Sequence, residues 1–175
     1  MGNEKNKLLI FALSRSGCLA YAHQMISSLQ EADALVFGSA YAVAPVPVPH
    51  RKVVTYRNSA EFILYTFWIL PKLFLQIRKA GRAGYQSAYF PVFQPWNLFI
   101  QLWCRGLGFR TLITVHDGIL LPGENHPLLQ WWESACIRIA DELIFLSRFV
   151  EENTRRRIGF TGNAHVIPHG ILGAA

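Results

Sequence analysis

The octapeptide Thr111–Gly118, TLITVHDG, constrains this chain more than any other stretch. Thr111 to Val115 are all β-branched or apolar, and they lead without a spacer into His116, Asp117 and Gly118. A short apolar run closed by turn chemistry marks a strand buried on both faces, as found inside helix-covered parallel sheets. In such open sheets, ligands settle in the crevice beyond the carboxyl ends of the strands. His116 therefore falls where this architecture does its chemistry.

The same kind of apolar run recurs at 7–13, 34–37, 52–56, 86–92, 142–146 and 164–167. Helical patterns fill the intervals. After Ser14-Arg15-Ser16-Gly17, a face of Leu19, Ala22, His23, Ile26 and Leu29 predicts a helix to about residue 30. Ser59 offers an N-cap for a helix over 60–80 that is apolar nearly all round, so it is buried or faces a partner or membrane. Further helices are expected over 95–107, from Pro127 onward (with Leu128, Leu129, Trp132, Ala135, Cys136 and Ile139 as one face), and from Ser147 to Ile158. Prolines at 45, 47 and 49 make that region an extended loop. Strands alternating with helices define an α/β, Rossmann-like open parallel sheet of about seven strands with helices on both faces.

With 17 Lys+Arg against 11 Asp+Glu, the net charge of +6 suits an anionic partner such as a phosphorylated substrate, an anionic membrane surface or nucleic acid. No RNA-binding or helix-turn-helix signature supports nucleic acid. The basic run Arg155-Arg156-Arg157 follows Glu151 and Glu152 by four residues, the spacing of ion pairs along one helix. Cys18, Cys104 and Cys136 have no CxxC spacing, which argues against a disulfide framework or a zinc site and fits a reducing cytoplasm. The start MGNEKNK does not read as a signal peptide. Pro71 and Lys72 interrupt the apolar stretch 61–78, and Pro91 and Pro95 the stretch 83–104, so neither reads as a membrane span. Aromatic residues between 62 and 103, with Lys72, Arg78, Lys79 and Arg82 among or beside them, leave an in-plane contact with an anionic membrane open beside core packing.

Two constellations carry chemistry. The first is Ser14-Arg15-Ser16-Gly17, where Gly17 either lets backbone N–H groups approach an anion at a helix start or permits a tight turn. It is neither GxGxxG nor a Walker A loop. The second is His116-Asp117-Gly118: the imidazole acts as a base, hydrogen-bonds a substrate hydroxyl or phosphate, or ties down a loop backbone. Asp117 orients that ring or holds its own loop. His126 lies nearby in sequence, but the spacing matches no standard metal-ligand pattern. No GxSxG elbow is present.

In order, LLIFALSRSG, TLITVHDG and ADELIFLSRFVEENTRRRIGFTGNAHVIPHGI resemble the N-terminal domain of GT-B glycosyltransferases, especially the large retaining family 4. The tail is the most specific part, with Asp141, Ser147, Gly159, Val166, Ile167, Pro168 and Gly170 on the family's pattern. The resemblance implies a first domain that binds the acceptor, a glycan or a lipid-linked sugar, and a second Rossmann-like domain that binds the nucleotide-sugar donor. It implies that Ser16 and Gly17 lie near the donor diphosphate or transferred sugar. His116, followed by Asp117 and Gly118, would contact that sugar or the acceptor, with His116 catalytic. Ser147 would line the cleft or be structural. The family's Arg/Lys pair and paired-glutamate motif have no positions here. Residues 1–170 are thus expected to form the first domain, 171–175 to begin the linker, and the donor-binding domain to be absent, as in a truncated product, a fragment or a split enzyme. On this reading the chain alone is incompetent for hexosyl transfer, binds no cofactor of its own, and works in the cytoplasm or on the inner face of the membrane. The competing expectation is a non-catalytic, flavodoxin-like binding module.

Overall fold

The computed structural model describes residues 7–15, 19–29, 33–42, 50–117 and 127–168. Within them, strands and helices alternate: β1 (Lys7–Ala12), α1 (Leu19–Ser28), β2 (Asp33–Ser39), β3 (His50–Val53), α2 (Ser59–Trp68), α3 (Leu70–Arg82), β4 (Ser87–Phe90), α4 (Trp96–Gly106), β5 (Arg110–Val115), α5 (Pro127–Ile139), β6 (Glu142–Phe145), α6 (Arg148–Ile158) and β7 (Asn163–Val166). All pairings are parallel, and the strands lie in the order β3-β2-β1-β4-β5-β6-β7. The order reverses between β1 and β4, which opens a crevice at their carboxyl ends.

The pleat sends alternate residues to opposite faces. Leu9, Phe11 and Leu13 meet Leu73 and Ile77 of α3, Trp96 and Ile100 of α4, Ile137 of α5 and Val150 of α6 in the larger core. Ile10 and Ala12 face Ala22 and Ile26 of α1 in the smaller one. Helices thus cover both faces, as expected, but unequally. Phe11 stacks between Phe37 of β2 and Phe90 of β4, with ring centroids 5.2 and 5.1 Å apart.

The first turn after β3 departs from expectation. Asn58, not Ser59, caps α2: its Oδ1 accepts the Glu61 amide at 2.9 Å, while Ser59 is already helical. The expected single helix over 60–80 is two helices bent by 47°. Pro71 has no N–H to donate and its ring clashes with the preceding turn, so the first helix ends and a second starts with the proline in its first turn. The α5 face is also rotated: Cys136 and Ile137 are buried, whereas Leu128 and Leu129 are exposed. The proline-rich region 43–49 and Cys18 lie outside the described residues. Cys104 and Cys136 are buried free thiols, each pushed up to about 12 by burial.

At the amino ends of the interior strands β5 and β6, Asp141 joins three elements. Its Oδ2 accepts the Thr111 amide at 2.8 Å and the Thr111 hydroxyl at 2.7 Å, and its Oδ1 meets Arg105 of α4. Burial alone would raise this carboxyl; the bonds from Thr111 and Arg105 outweigh it and hold the group below the ordinary carboxylate range. Its contribution is therefore complete above about pH 4 and fades as pH falls through the lowered folded value. Asp141→Ala leaves the buried Thr111 hydroxyl short of a partner and is expected to cost about 1–2 kcal/mol at neutral pH. Urea unfolding at neutral and acid pH checks this: the gap between wild type and variant should narrow in acid.

Candidate functional site

Beyond the carboxyl ends of β1 to β4 lies an open cleft of about 920 Å³. Its walls come from five places in the chain: Leu13 to Arg15 after β1, Tyr41 after β2, Thr55 to Asn58 after β3, Phe62 and Ile63 on α2, and Leu128, Leu129 and Trp132 on α5, with Gln94 and Pro95 at its base. Part of the lining is apolar: Phe62 meets Tyr56 edge-on at 4.8 Å and Trp132 at 6.4 Å. Arg15 and Arg57, both exposed, make another part cationic.

The polar groups here are held from below. Gln94 Oε1 accepts from the Tyr56 hydroxyl at 3.3 Å and the Trp96 amide at 3.2 Å, while its Nε2 donates to Asn97. Burial raises the Tyr56 phenol, which stays protonated and able to donate. The Ser39 and Thr55 hydroxyls pair at 2.8 Å. Arg57 grips Glu61 one turn on, with Nη2 2.6 Å from Oε1. Arg15 Nη1 reaches the Arg57 carbonyl at 3.5 Å. Two guanidinium groups against one carboxylate leave this rim net positive. Trp132 Nε1 is buried in the wall with no hydrogen-bond partner among the described residues.

Of the sequence-predicted loop 14–17, Ser14 and Arg15 line this cleft, whereas His116, Asp117 and Ser147 do not. His116 follows β5, half-buried on the α1 side, in edge contact with the Tyr21 ring at 4.8 Å. Its Nε2 donates to the Pro91 carbonyl at 2.7 Å, tying the ends of β4 and β5 together. Tyr21, Tyr89 and Thr114 join hydroxyls beneath it, with Tyr89 and Thr114 2.8 Å apart. Asp117 is exposed beside His116. Ser147 caps α6, its Oγ accepting the Val150 amide at 3.2 Å. Ser16, Gly17, Gly118 and His126 lie outside the described residues.

Of the basic run, Arg155 pairs with Glu151 at 2.9 Å, as the spacing predicts. Arg157 instead reaches across to Glu133 of α5 at 3.1 Å. Glu133 is a half-buried carboxylate that sequence reasoning passed over. Burial raises its carboxyl above the ordinary range, Arg157 opposes the shift, and the Asp117 charge adds to it. Nothing in WWESA marks it. The cleft residues were missed for a related reason: they come from distant segments with no common spacing.

A doubly covered parallel sheet with a crevice at its reversal point, open beyond the strand ends, is one Rossmann-like half of a GT-B fold. The family model Glycosyltransferase Family 4 matches residues 16–171, and the chain belongs to that family. A sucrose-phosphate synthase from Thermosynechococcus elongatus superposes with a TM-score of 0.60 at 16% identity, covering 94% of this chain and 90% of that one. UGT73P12 of Glycyrrhiza uralensis, solved with glycyrrhetinic acid 3-O-monoglucuronide, gives a TM-score of 0.59 at 11% identity. That match covers 96% of this chain but 49% of the plant chain, so this chain spans about half its length. No curated protein sequence matches the chain.

Because Glu133 titrates above the usual carboxylate value of about 4.3, its ionisation lowers stability as pH rises through the folded value. Removing Arg157 lifts that value further. Arg157→Ala should cost about 1–2 kcal/mol at neutral pH, less than the loss of a partner from a fully buried pair. The loss should shrink as Glu133 becomes protonated toward about pH 4. Urea unfolding over that range reads the difference, and an equal loss at every pH would refute it.

Proposed function

We propose that this chain forms the acceptor-binding wall of a glycosyltransferase that moves a hexosyl unit from a nucleotide-sugar to a glycan or lipid-linked acceptor. The observation that carries the reading is the cleft, which brings aromatic, aliphatic and cationic side chains together at the reversal point of a family 4 domain. Aromatic faces such as Phe62 and Trp132 suit the apolar faces of sugar rings or a prenyl chain. Arg15 and Arg57 suit a phosphate or diphosphate.

A second Rossmann-like domain, on the same or another chain, supplies the opposite wall and holds the donor. One wall alone does not transfer sugar efficiently, because transition-state stabilisation needs groups from both sides. His116, outside the cleft lining at the tip of β5, contacts the transferred sugar or the acceptor. On the family resemblance, Ser16 and Gly17 serve the donor diphosphate or the transferred sugar, Asp117 and Gly118 accompany His116 in substrate binding, and Ser147 is structural, as the cap of α6. No cofactor beyond the donor is needed, and the setting is the cytoplasm or the inner membrane face.

Two measurements test this. Thermal unfolding of the chain with a panel of glycans and lipid phosphates should show stabilisation by an acceptor, about 2.7 kcal/mol at a hundredfold excess over Kd. Arg15→Ala should weaken that binding about tenfold. In transfer assays with the second domain present, His116→Ala should lower kcat/KM by about 10²-fold or more. Acceptor binding indifferent to Arg15→Ala would sink the cleft assignment, and transfer indifferent to His116→Ala would sink its catalytic role.

A further inference from the structure

No described helix is long and apolar enough to cross a membrane, and α2 and α3 pass such a test only as a bent pair. Spanning is excluded by their packing. The ten residues of α2 reach about 15 Å, half of a bilayer core. The row Leu70, Leu73, Ile77 and Ala80 fastens α3 to the protein. What the pair offers is its outer surface.

None of the residues of α2 is fully buried. Phe67 and Trp68 stand 77% and 66% exposed at the bend, and Ile63 and Leu64 one turn earlier are 61% and 62% exposed. Spacing of i, i+1, i+4 and i+5 sets all four on one side of the helix. Four large apolar side chains on one short helix exceed the scattered exposure normal for a soluble surface. The patch continues directly into a basic one. On α3, Lys72, Leu75, Lys79 and Arg82 form a stripe diametrically opposite the buried row, and Arg78 flanks it. No acidic residue occurs on α3, and none of its four basic side chains pairs with a carboxylate among the described residues. Lys72 Nζ lies 4.9 Å over the Trp68 ring, which joins the two patches at the elbow.

We infer that the α2–α3 elbow docks in the plane of an anionic lipid bilayer, with Ile63, Leu64, Phe67 and Trp68 entering the headgroup–acyl boundary and the α3 basic stripe on the phosphates. Charge complementarity decides for this occupant. A second copy would set one unpaired cationic stripe against another, and a protein partner would need an acidic face that this chain does not itself present. Tryptophan at the bend and a lysine stem lying over it fit the interface, where amphipathic side chains keep apolar bodies in and charged tips out. Ile63 also lines the cleft, so the docked surface is continuous with the cleft mouth. If the proposed function holds, the acceptor is drawn from that bilayer, its lipid beside Phe62 and Ile63 and its anionic head at Arg15 and Arg57. The docking itself stands without that reading.

Vesicle flotation of the full chain tests it, using phosphatidylcholine vesicles with and without phosphatidylglycerol. Binding should require the anionic lipid and weaken with salt. Phe67→Ser/Trp68→Ser should reduce it at least about tenfold, and Lys79→Ser/Arg82→Ser by a similar factor, while Phe149→Ser on the distant α6 should not. Circular dichroism confirms folding, and quenching of wild-type tryptophan fluorescence by brominated lipid reads insertion without any variant. Absence of both flotation and quenching overturns the inference. So does a chain whose self-association, rather than lipid binding, is abolished by Phe67→Ser/Trp68→Ser. Docking without any effect of Arg15→Ala on lipid-phosphate binding keeps the membrane surface and rejects the acceptor reading instead.

Discussion

Burial of β1 on both faces is the constraint on which the rest of the structure depends. Leu9, Ile10, Phe11 and Ala12 have no exposed surface, so each of their backbone groups must be paired by a neighbouring strand. Those neighbours are β2 and β4, and Phe11 stacked between Phe37 and Phe90 fixes all three laterally. With β3 at the far edge beyond β2, the chain must cross two strands to reach β4. The α2–α3 connection performs that crossing. Its second half lies flat on the sheet, and its first half, turned by the break at Pro71, stands at the strand ends and forms one wall of the cleft. Cleft and exposed elbow are thus two consequences of one topological necessity.

The tail that most clearly carries the family resemblance does structural work. Asp141 binds the first residues of β5, Ser147 caps α6, and Gly159 closes it at φ 70°, where a side chain would be strained. These residues keep β5, β6 and β7 in register beneath the site and do not line the cleft. A motif this local is readable because capping and turn chemistry act over three or four residues.

That locality also sets what the sequence shows and what it hides. The strands and their alternation with helices were legible because a parallel strand buried on both faces is apolar at every position. The break at Ile69 was hidden by apolar residues on both sides of Pro71, which keep helical periodicity while the hydrogen-bond ladder fails. The N-cap was misplaced by one residue since Asn58 and Ser59 are both good caps, and only the extended backbone at Asn58 decides between them. The cleft was legible only in its place at the strand ends and in the loop at Ser14 and Arg15: Tyr56, Phe62, Gln94 and Trp132 share no spacing with that loop, and only the strand order brings them together. Glu133 stayed hidden for the same reason, its partner lying on the next helix.

His116 shows how a position can be legible while its role stays divided. The sequence offers loop-tying and chemistry as alternatives, and the geometry shows the first, through one ring nitrogen. A carbonyl only accepts, so Nε2 must carry the proton that goes to Pro91, and the neutral ring then has its lone pair on Nδ1. Protonating Nδ1 leaves the bond to Pro91 in place, because Nε2 remains a donor in both states. The tie between β4 and β5 is therefore insensitive to the ring's charge. Edge contact with Tyr21 fixes the ring plane, and the buried Tyr21–Tyr89–Thr114 hydroxyls fix Tyr21. Burial raises the Tyr89 phenol, so Tyr89 stays uncharged at neutral pH. Packing and one backbone bond thus hold the ring at the tip of β5; the position was legible from the strand pattern, while the tie, reaching 25 residues back to Pro91, was not.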